Sequence, residues 1–302
     1  MTASMAPDEE STIGDVHPDG IVVGIDGSPG STHALAWASN RVEQLGPIQP
    51  VRAWSYPPWA VGDSMFGILP AIPPDDFEDW ARQSAEKSLA AIPTDDRAPL
   101  ILARSPAGPA LVEAGADADL IVVGTRGRGA VADTILGSVS CHVVHHATVP
   151  VAVVPLDADI DGARRRVVVG IDGSENSVRA LIWALSTAPD DVVVEAFHVW
   201  SYHALAIPDP HMAPIEYNES EAKLTLERTS VEAVARAGGK AKEPVLSLEY
   251  GDPRNVVRRF SSKADLLVLG ARGHRGVAHL LLGSVTTGLI HQPLVTTVVV
   301  PG

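Results

Sequence analysis

Two stretches of this chain have the residue types and spacing that cradle an anion. Residues 124–140 read GTRGRGAVADTILGSVS and residues 270–286 read GARGHRGVAHLLLGSVT; each is Gly-x-x-Gly, nine further residues, then Gly-Ser. Gly124, Gly127, Gly270 and Gly273 let the backbone turn with no Cβ in the way, so that successive N–H groups converge on an anion. Gly137-Ser138 and Gly283-Ser284 each read as the start of a helix, where unpaired amides and the helix dipole favour phosphate. Ser138, Ser140, Ser284 and Thr286 add hydroxyl donors, and Arg126, Arg128, Arg272 and Arg275 add charge. A loop of nine residues between two such sites suits a polyphosphate. The alternative is that the glycines only permit tight strand-to-helix turns. Recurrence at one spacing, with the shared ending Gly-Ser-Val-[Ser/Thr], favours phosphate.

A second pair of segments bears on the same chemistry. Asp26-Gly27-Ser28 and Asp172-Gly173-Ser174 each end a short apolar run, IVVG and VVVG-Ile. Gly24, Gly27 and Gly30 are spaced Gly-x-x-Gly-x-x-Gly, whereas a dinucleotide fingerprint needs Gly-x-Gly-x-x-Gly. Asp26 stands where the second glycine of that fingerprint belongs, and its carboxylate would repel a pyrophosphate; the later copy, GIDGSEN, lacks even the third glycine. No Gly-x-x-x-x-Gly-Lys-[Ser/Thr] occurs, so this is not a P-loop either. Three roles remain open for Asp26 and Asp172. They either accept hydrogen bonds from a sugar or base, or hold a divalent ion such as Mg2+ bridging to phosphate, or they form Asx turns that cap the following helix.

The elements that must position these residues recur with one offset. Gly124 and Gly270 stand 146 positions apart, and so do Asp26 and Asp172, Trp37 and Trp183, Trp54 and Trp200, and Pro155 and Pro301. A shared offset over nearly half the chain means duplication. In the first copy, residues 21–28, 50–54, 100–104, 119–124 and 149–155 read as short buried strands; 31–45, 75–92, 109–116 and 137–147 read as helices. In the second, strands are expected at 166–174, 192–200, 243–250, 265–270 and 294–300, and helices at 175–188, 216–238 and 255–264. Alternating apolar strands and helices predict an α/β fold of two tandem domains, each a parallel sheet of about five strands. The expected division is an acidic, mobile tail at 1–19, domains at 20–156 and 166–302, and a polar linker at 157–165.

Composition narrows the classes of function. A chain of 302 residues, 45% apolar and 20% charged, has enough apolar residues for a core in each half. Net charge of −14 weighs against nucleic acid or an anionic membrane as partner, both of which need a basic face. No apolar run approaches a membrane span, and the amino terminus lacks the basic-then-apolar pattern of a secretory signal. With one cysteine, Cys141, no intrachain disulfide forms, and a cytoplasmic location is the default. Cys141 is expected to be a small buried residue on its helix. His142 and His146 have ligand spacing on that helix, but no matching carboxylate recurs, and the second copy has only His291 opposite His145. No nucleophile with a paired base and no nucleotidyltransferase signature is present.

On these motifs the chain resembles a tandem universal stress protein, two such domains in one polypeptide, over residues 20 to 301. The resemblance rests on the doubled Gly-x-x-Gly, nine residues, Gly-Ser, the pattern of the ATP-binding branch, and on the opening strand Val-Gly-Ile-Asp-Gly-Ser. It implies ATP as the ligand. Asp26 with Gly27, and Asp172 with Gly173, then lie near the adenosine or its metal. Val123, Gly124, Arg126 and Gly127 line the ribose and phosphate side, and Gly137, Ser138, Val139 and Ser140 hold the phosphates. Leu269, Gly270, Arg272 and Gly273, with Gly283, Ser284, Val285 and Thr286, do the same in the second copy. The end of the second strand implies an aliphatic adenine contact, which is Val199 in one domain and the smaller Ala53 in the other, so unequal sites are expected. The resemblance also implies pairing through the last strand: VPVAVV and LVTTVVV pair within one chain as a pseudo-dimer, and the remaining edges are open to a homodimer. Three functions compete: a nucleotide-dependent stress sensor read by a regulatory protein partner, a slow ATPase or phosphotransfer protein, and an interaction module without a ligand. Intact loops in both copies and no evident general base favour the sensor.

Overall fold

A computed structural model describes residues 20–55, 74–125, 136–161, 163–201, 219–238, 242–273 and 282–302. The acidic segment 1–19, Arg126, Gly127, Arg128 and Arg275 lie outside the described residues. The first half runs β1 (Ile21–Gly24), α1 (Pro29–Ser39), α2 (Val42–Leu45), β2 (Ile48–Trp54), α3 (Pro74–Leu89), β3 (Ile101–Arg104), α4 (Ala107–Ala114), β4 (Leu120–Gly124), α5 (Ser138–His146) and β5 (Val151–Val154). The second runs β6 (Arg166–Ile171), α6 (Glu175–Thr187), β7 (Val193–Trp200), α7 (Glu219–Ala237), β8 (Val245–Tyr250), α8 (Pro253–Ser261), β9 (Leu266–Gly270), α9 (Ser284–Ile290) and β10 (Thr296–Val300).

The strands form one sheet in the order β3-β2-β1-β4-β5-β10-β9-β6-β7-β8. Pairing is parallel within each half, and β5 meets β10 antiparallel, with Thr297 opposite Val153 and Val299 opposite Val151. The two five-stranded parallel sheets are therefore halves of a continuous ten-stranded one. Inner strands are apolar at successive positions because both faces are covered. Ile21 and Val23 enter a core on one face that also takes in Trp37, Val169 and Leu181, residues of both halves. Val22 points the opposite way, with Ile121, Val143 and Val299. No helix among the described residues is long and apolar enough to cross a membrane.

One expected element differs. The periodicity of residues 31–45 predicts a single helix, but α1 ends at Ser39 and α2 begins at Val42. Asn40 at the break donates through Nδ2 to the Ile160 carbonyl (3.1 Å) and to Asp161 Oδ1 (3.3 Å) in the connector between the halves. Arg41 turns back to the Trp37 carbonyl (2.8 Å). Acceptors far along the chain interrupt a pattern that local spacing would continue.

Candidate functional site

Strand order reverses between β1 and β4, and again between β6 and β9. At such a reversal the helices on either side diverge and leave a crevice outside the carboxyl ends of the strands. Asp26-Gly27-Ser28 and Gly124-Thr125 meet at this place in the first half; Asp172-Gly173-Ser174 and Gly270 to Gly273 meet there in the second. The glycine segments and the aspartates, distant in sequence, are brought to one end of each sheet.

The aspartates are built into turns. Asp26 Oδ1 accepts the Ser28 amide (2.9 Å); Asp172 Oδ1 accepts the Ser174 amide (3.0 Å) and its hydroxyl (2.6 Å). Gly27 and Gly173 supply the positive φ that follows, +75° and +82°. Ser28 and Ser174 then cap α1 and α6, each accepting an amide three residues on at 3.2 Å. The Asx-turn role is thus present, and it uses one carboxylate oxygen. The other oxygen of Asp172, Oδ2, lies where a Cβ on Gly273 would stand, so the second glycine loop closes directly on this carboxylate.

Each loop is pinned at both ends. A Cβ on Gly124 would lie 2.7 Å from the Gly30 carbonyl oxygen, and one on Gly270 would lie 2.8 Å from the Asn176 backbone, so the ends of β4 and β9 pack against the first turns of α1 and α6. Gly137 donates to the Thr125 carbonyl and Gly283 to the Ala271 carbonyl, both at 2.8 Å. The Ser140 hydroxyl donates to the Gly124 carbonyl (2.6 Å) and the Thr286 hydroxyl to the Gly270 carbonyl (3.0 Å). Ser140 and Thr286 are buried, and their hydroxyl protons fasten helix to strand, whereas the sequence suggested donors for a ligand. The side chains of Ser138 and Ser284 are exposed. Neither Gly137 nor Gly283 has a side chain to cap its helix, so among the described residues the first-turn amides of α5 and α9 have no side-chain acceptor.

The remaining expected contacts are distributed as follows. Val123 and Leu269 are buried in their strands, while Val139 and Val285 are partly buried against the cores. Ala53 and Val199 are both half-buried next to the ends of β2 and β7, so the size difference falls at equivalent places. Arg272 is exposed; its carbonyl accepts from Asn176 Nδ2 (3.1 Å) and Ser174 Oγ (3.4 Å). Arg126 and Gly127 lie outside the described residues. Among the described residues no group of three or more His, Cys, Asp or Glu has the geometry to hold a metal. His145 and His146 turn Nδ1 to carbonyls of their own helix at 2.7 and 2.8 Å, and His142 stacks on His146 with centroids 4.1 Å apart. Cys141 is partly exposed and not buried as its helix position suggested, with Sγ 3.6 Å from His145 Nδ1.

Two residues that sequence reasoning passed over stand behind the aspartates. Arg52 and His198 are equivalent by the repeat offset and both are buried. Arg52 donates to the Ile25 carbonyl (3.4 Å), and His198 Nδ1 donates to the Ile171 carbonyl (2.6 Å). Burial lowers the His198 pKa, opposed by the Ile171 carbonyl and the Asp172 charge, so its ring is neutral at pH 7. The first crevice therefore has a permanent cation behind it and the second has a neutral imidazole. The available signal was that Arg52 and His198, like Gln49 and Glu195, are polar residues at matching positions in two largely apolar strands.

The universal stress protein family profile matches this chain twice, over residues 19–155 and 163–301. A universal stress protein of Mycobacterium tuberculosis is 31% identical over 293 residues, 90% of this chain and 92% of that one. Another from the same organism is 29% identical over 300 residues, 93% and 96% of the two chains. The crystal structure of a universal stress protein from Archaeoglobus fulgidus superposes with a TM-score of 0.59 at 20% identity, covering 94% of this chain and 96% of its own, a likeness of fold.

Proposed function

The chain belongs to the universal stress protein family, one domain in each half, and from that premise we propose that it binds ATP in both halves and works as a nucleotide-dependent regulator of the stress response. The observation that carries this reading is the doubled crevice. Twice, a glycine loop leaves the carboxyl end of a central strand, and twice it ends at a helix start whose amides have no side-chain cap among the described residues. Backbone amides so arranged bind phosphate without a net positive protein, which reconciles an anionic ligand with a net charge of −14.

In this reading the phosphates lie on the amides of Gly137 to Ser140 and of Gly283 to Thr286, with Ser138 and Ser284 adding hydroxyls. Gly124, Arg126 and Gly127, and Gly270, Arg272 and Gly273, border the ribose and phosphates. Ala53 and Val199 flank the adenine. Mg2+ takes one or two carboxylates plus phosphate oxygens and water, and Asp26 and Asp172 would be the carboxylates that hold it. Bound nucleotide would change the surface that each crevice presents, giving a partner protein in the cytoplasm a different face to read. The test is to denature the purified protein and chromatograph the supernatant, with equilibrium dialysis of added ATP alongside. Nucleotide in the supernatant, or saturable ATP uptake at both sites, is expected; a clean supernatant together with no measurable ATP binding overturns the proposal.

A further inference from the structure

The junction between the halves contains a cavity of about 130 Å³ that the nucleotide sites do not use. Its apolar walls come from both domains and the connector: Leu45, Ile160, Trp183 and Leu266. It opens at the amino end of β9, where Leu266 is the first residue and Gly270 the last. The four steps of about 3.3 Å from Leu266 to Gly270 place it roughly 13 Å from the crevice at the other end of the same strand.

One group in this wall is poorly provided for. The Arg41 guanidinium stacks on the fully buried Trp37 ring, 3.7 Å from its centroid, and donates to the Trp37 carbonyl (2.8 Å). A guanidinium has five N–H donors, yet among the described residues no carboxylate oxygen lies within 4.0 Å of this one. Two carboxylates act on it from further off, those of Asp265 and Asp159. Both are occupied: Asp265 accepts the amides of Arg164 (3.0 Å) and Arg166 (2.9 Å), and Asp159 those of Asp161 (3.0 Å) and Ala163 (3.1 Å). Burial pulls the Arg41 pKa down to about 10, which still leaves it charged. A half-buried cation with unspent donors beside an apolar space is a site for an anion.

Size and charge restrict the anion. A cavity of about 150 Å³ accommodates benzene, so this one, at about 130 Å³, holds no more than a single ring. Asp161 and Asp265 also line it, and the second lining cation, Arg165, is paired with Asp191 (2.9 Å); this disfavours a doubly charged phosphate and leaves a singly charged, planar group matched to the guanidinium fork. We propose that the domain junction binds a small aromatic monocarboxylate, its ring against Trp183 and its carboxylate on Arg41. Because residues of both domains and the connector would touch it, such a ligand would fasten the two halves together.

The experiment uses the full chain, sodium benzoate as probe and benzamide as its uncharged match, followed by calorimetry and tryptophan fluorescence. Saturable one-to-one benzoate binding is expected, with benzamide at least roughly tenfold weaker, the loss of one charge-assisted pair. Arg41→Gln should weaken benzoate by a similar factor, and Ala188→Phe, which narrows the cavity without touching Arg41, should do the same while circular dichroism stays unchanged. ATP should neither displace benzoate nor bind differently in either variant, which separates this site from the nucleotide sites. Absence of saturable binding, equal affinity for benzamide, indifference to both substitutions, or displacement by ATP would each overturn the proposal. If Arg41→Gln fails to fold, the benzamide comparison and Ala188→Phe decide.

Discussion

The imidazole of His142 lies over Gly108, so close that a Cβ on Gly108 would come 2.7, 2.8 and 3.0 Å from three of its side-chain atoms. In the second half the roles are exchanged: the residue at the His142 position is Gly288, and the residue at the Gly108 position is Arg254, whose Nε would stand 3.7 Å from a Cβ on Gly288. One side chain fills each groove, contributed by α5 in the first domain and by α8 in the second. Gly108→Ala is therefore expected to destabilise the protein by about 1–3 kcal/mol through overpacking. In a His142→Ala background the same change should cost little, or gain up to about 1 kcal/mol from the helix preference of alanine over glycine. Urea unfolding of the two single variants and the double variant measures this; additive effects would count against the packing account.

Gly273 is placed to test the proposed nucleotide site of the second half by itself. Its missing Cβ would overlap Asp172 Oδ2, so Gly273→Ala must push the loop and the carboxylate apart. ATP stoichiometry is expected to fall from about two per chain to about one, because the first-domain loop is untouched. Equilibrium dialysis with the intact chain reads the number directly. Unchanged stoichiometry would detach the loop from the site.

Buried His198 makes stability depend on pH in a stated direction. Its folded pKa is below the ordinary 6.5, so the unfolded chain binds the proton more readily. Its contribution is then complete above about pH 6.5 and is lost as pH falls through the folded value. His198→Gln, which retains a donor for the Ile171 carbonyl, should flatten the stability profile between about pH 7 and pH 5. Denaturation midpoints of both proteins across that range decide it. An unchanged slope would mean that other groups set the acid limit.

The strand and helix order was legible because each strand is a short apolar run and the same order is written twice. The meeting of β5 and β10 was legible through the resemblance, since spacing alone does not say which edges pair; its antiparallel sense came from the structure. Less was visible where a residue answers to a distant acceptor. The helix break at Asn40 depends on Ile160 and Asp161 in the connector. Ser140 and Thr286 carry the residue type of a ligand donor, but the carbonyls of Gly124 and Gly270 take their protons. The pattern gave Arg52 and His198 no role, because their partners are the carbonyls of Ile25 and Ile171 on a neighbouring strand.

The last asymmetry concerns affinity. Ala53 and Val199 occupy equivalent, half-buried positions near the ends of β2 and β7, one residue before Trp54 and Trp200. Each buried methylene is worth about 0.8 kcal/mol, and valine exceeds alanine by two carbons that only partly leave water here. A difference of about 1 kcal/mol, or roughly fivefold in affinity, is expected if both side chains flank the adenine. Arg52 against His198 adds a difference of charge behind the two crevices, so the intrinsic constants need not differ by the methyl groups alone. The separable part is tested by substitution: Val199→Ala should weaken only the second site, and Ala53→Val should strengthen only the first, each by a few-fold. Calorimetry of ATP binding to the wild type, to each variant and to Gly273→Ala as a one-site reference resolves the two constants. If Ala53→Val leaves the first constant where it was, the end of β2 does not touch the base, and the inequality of the sites must come from the charge behind them.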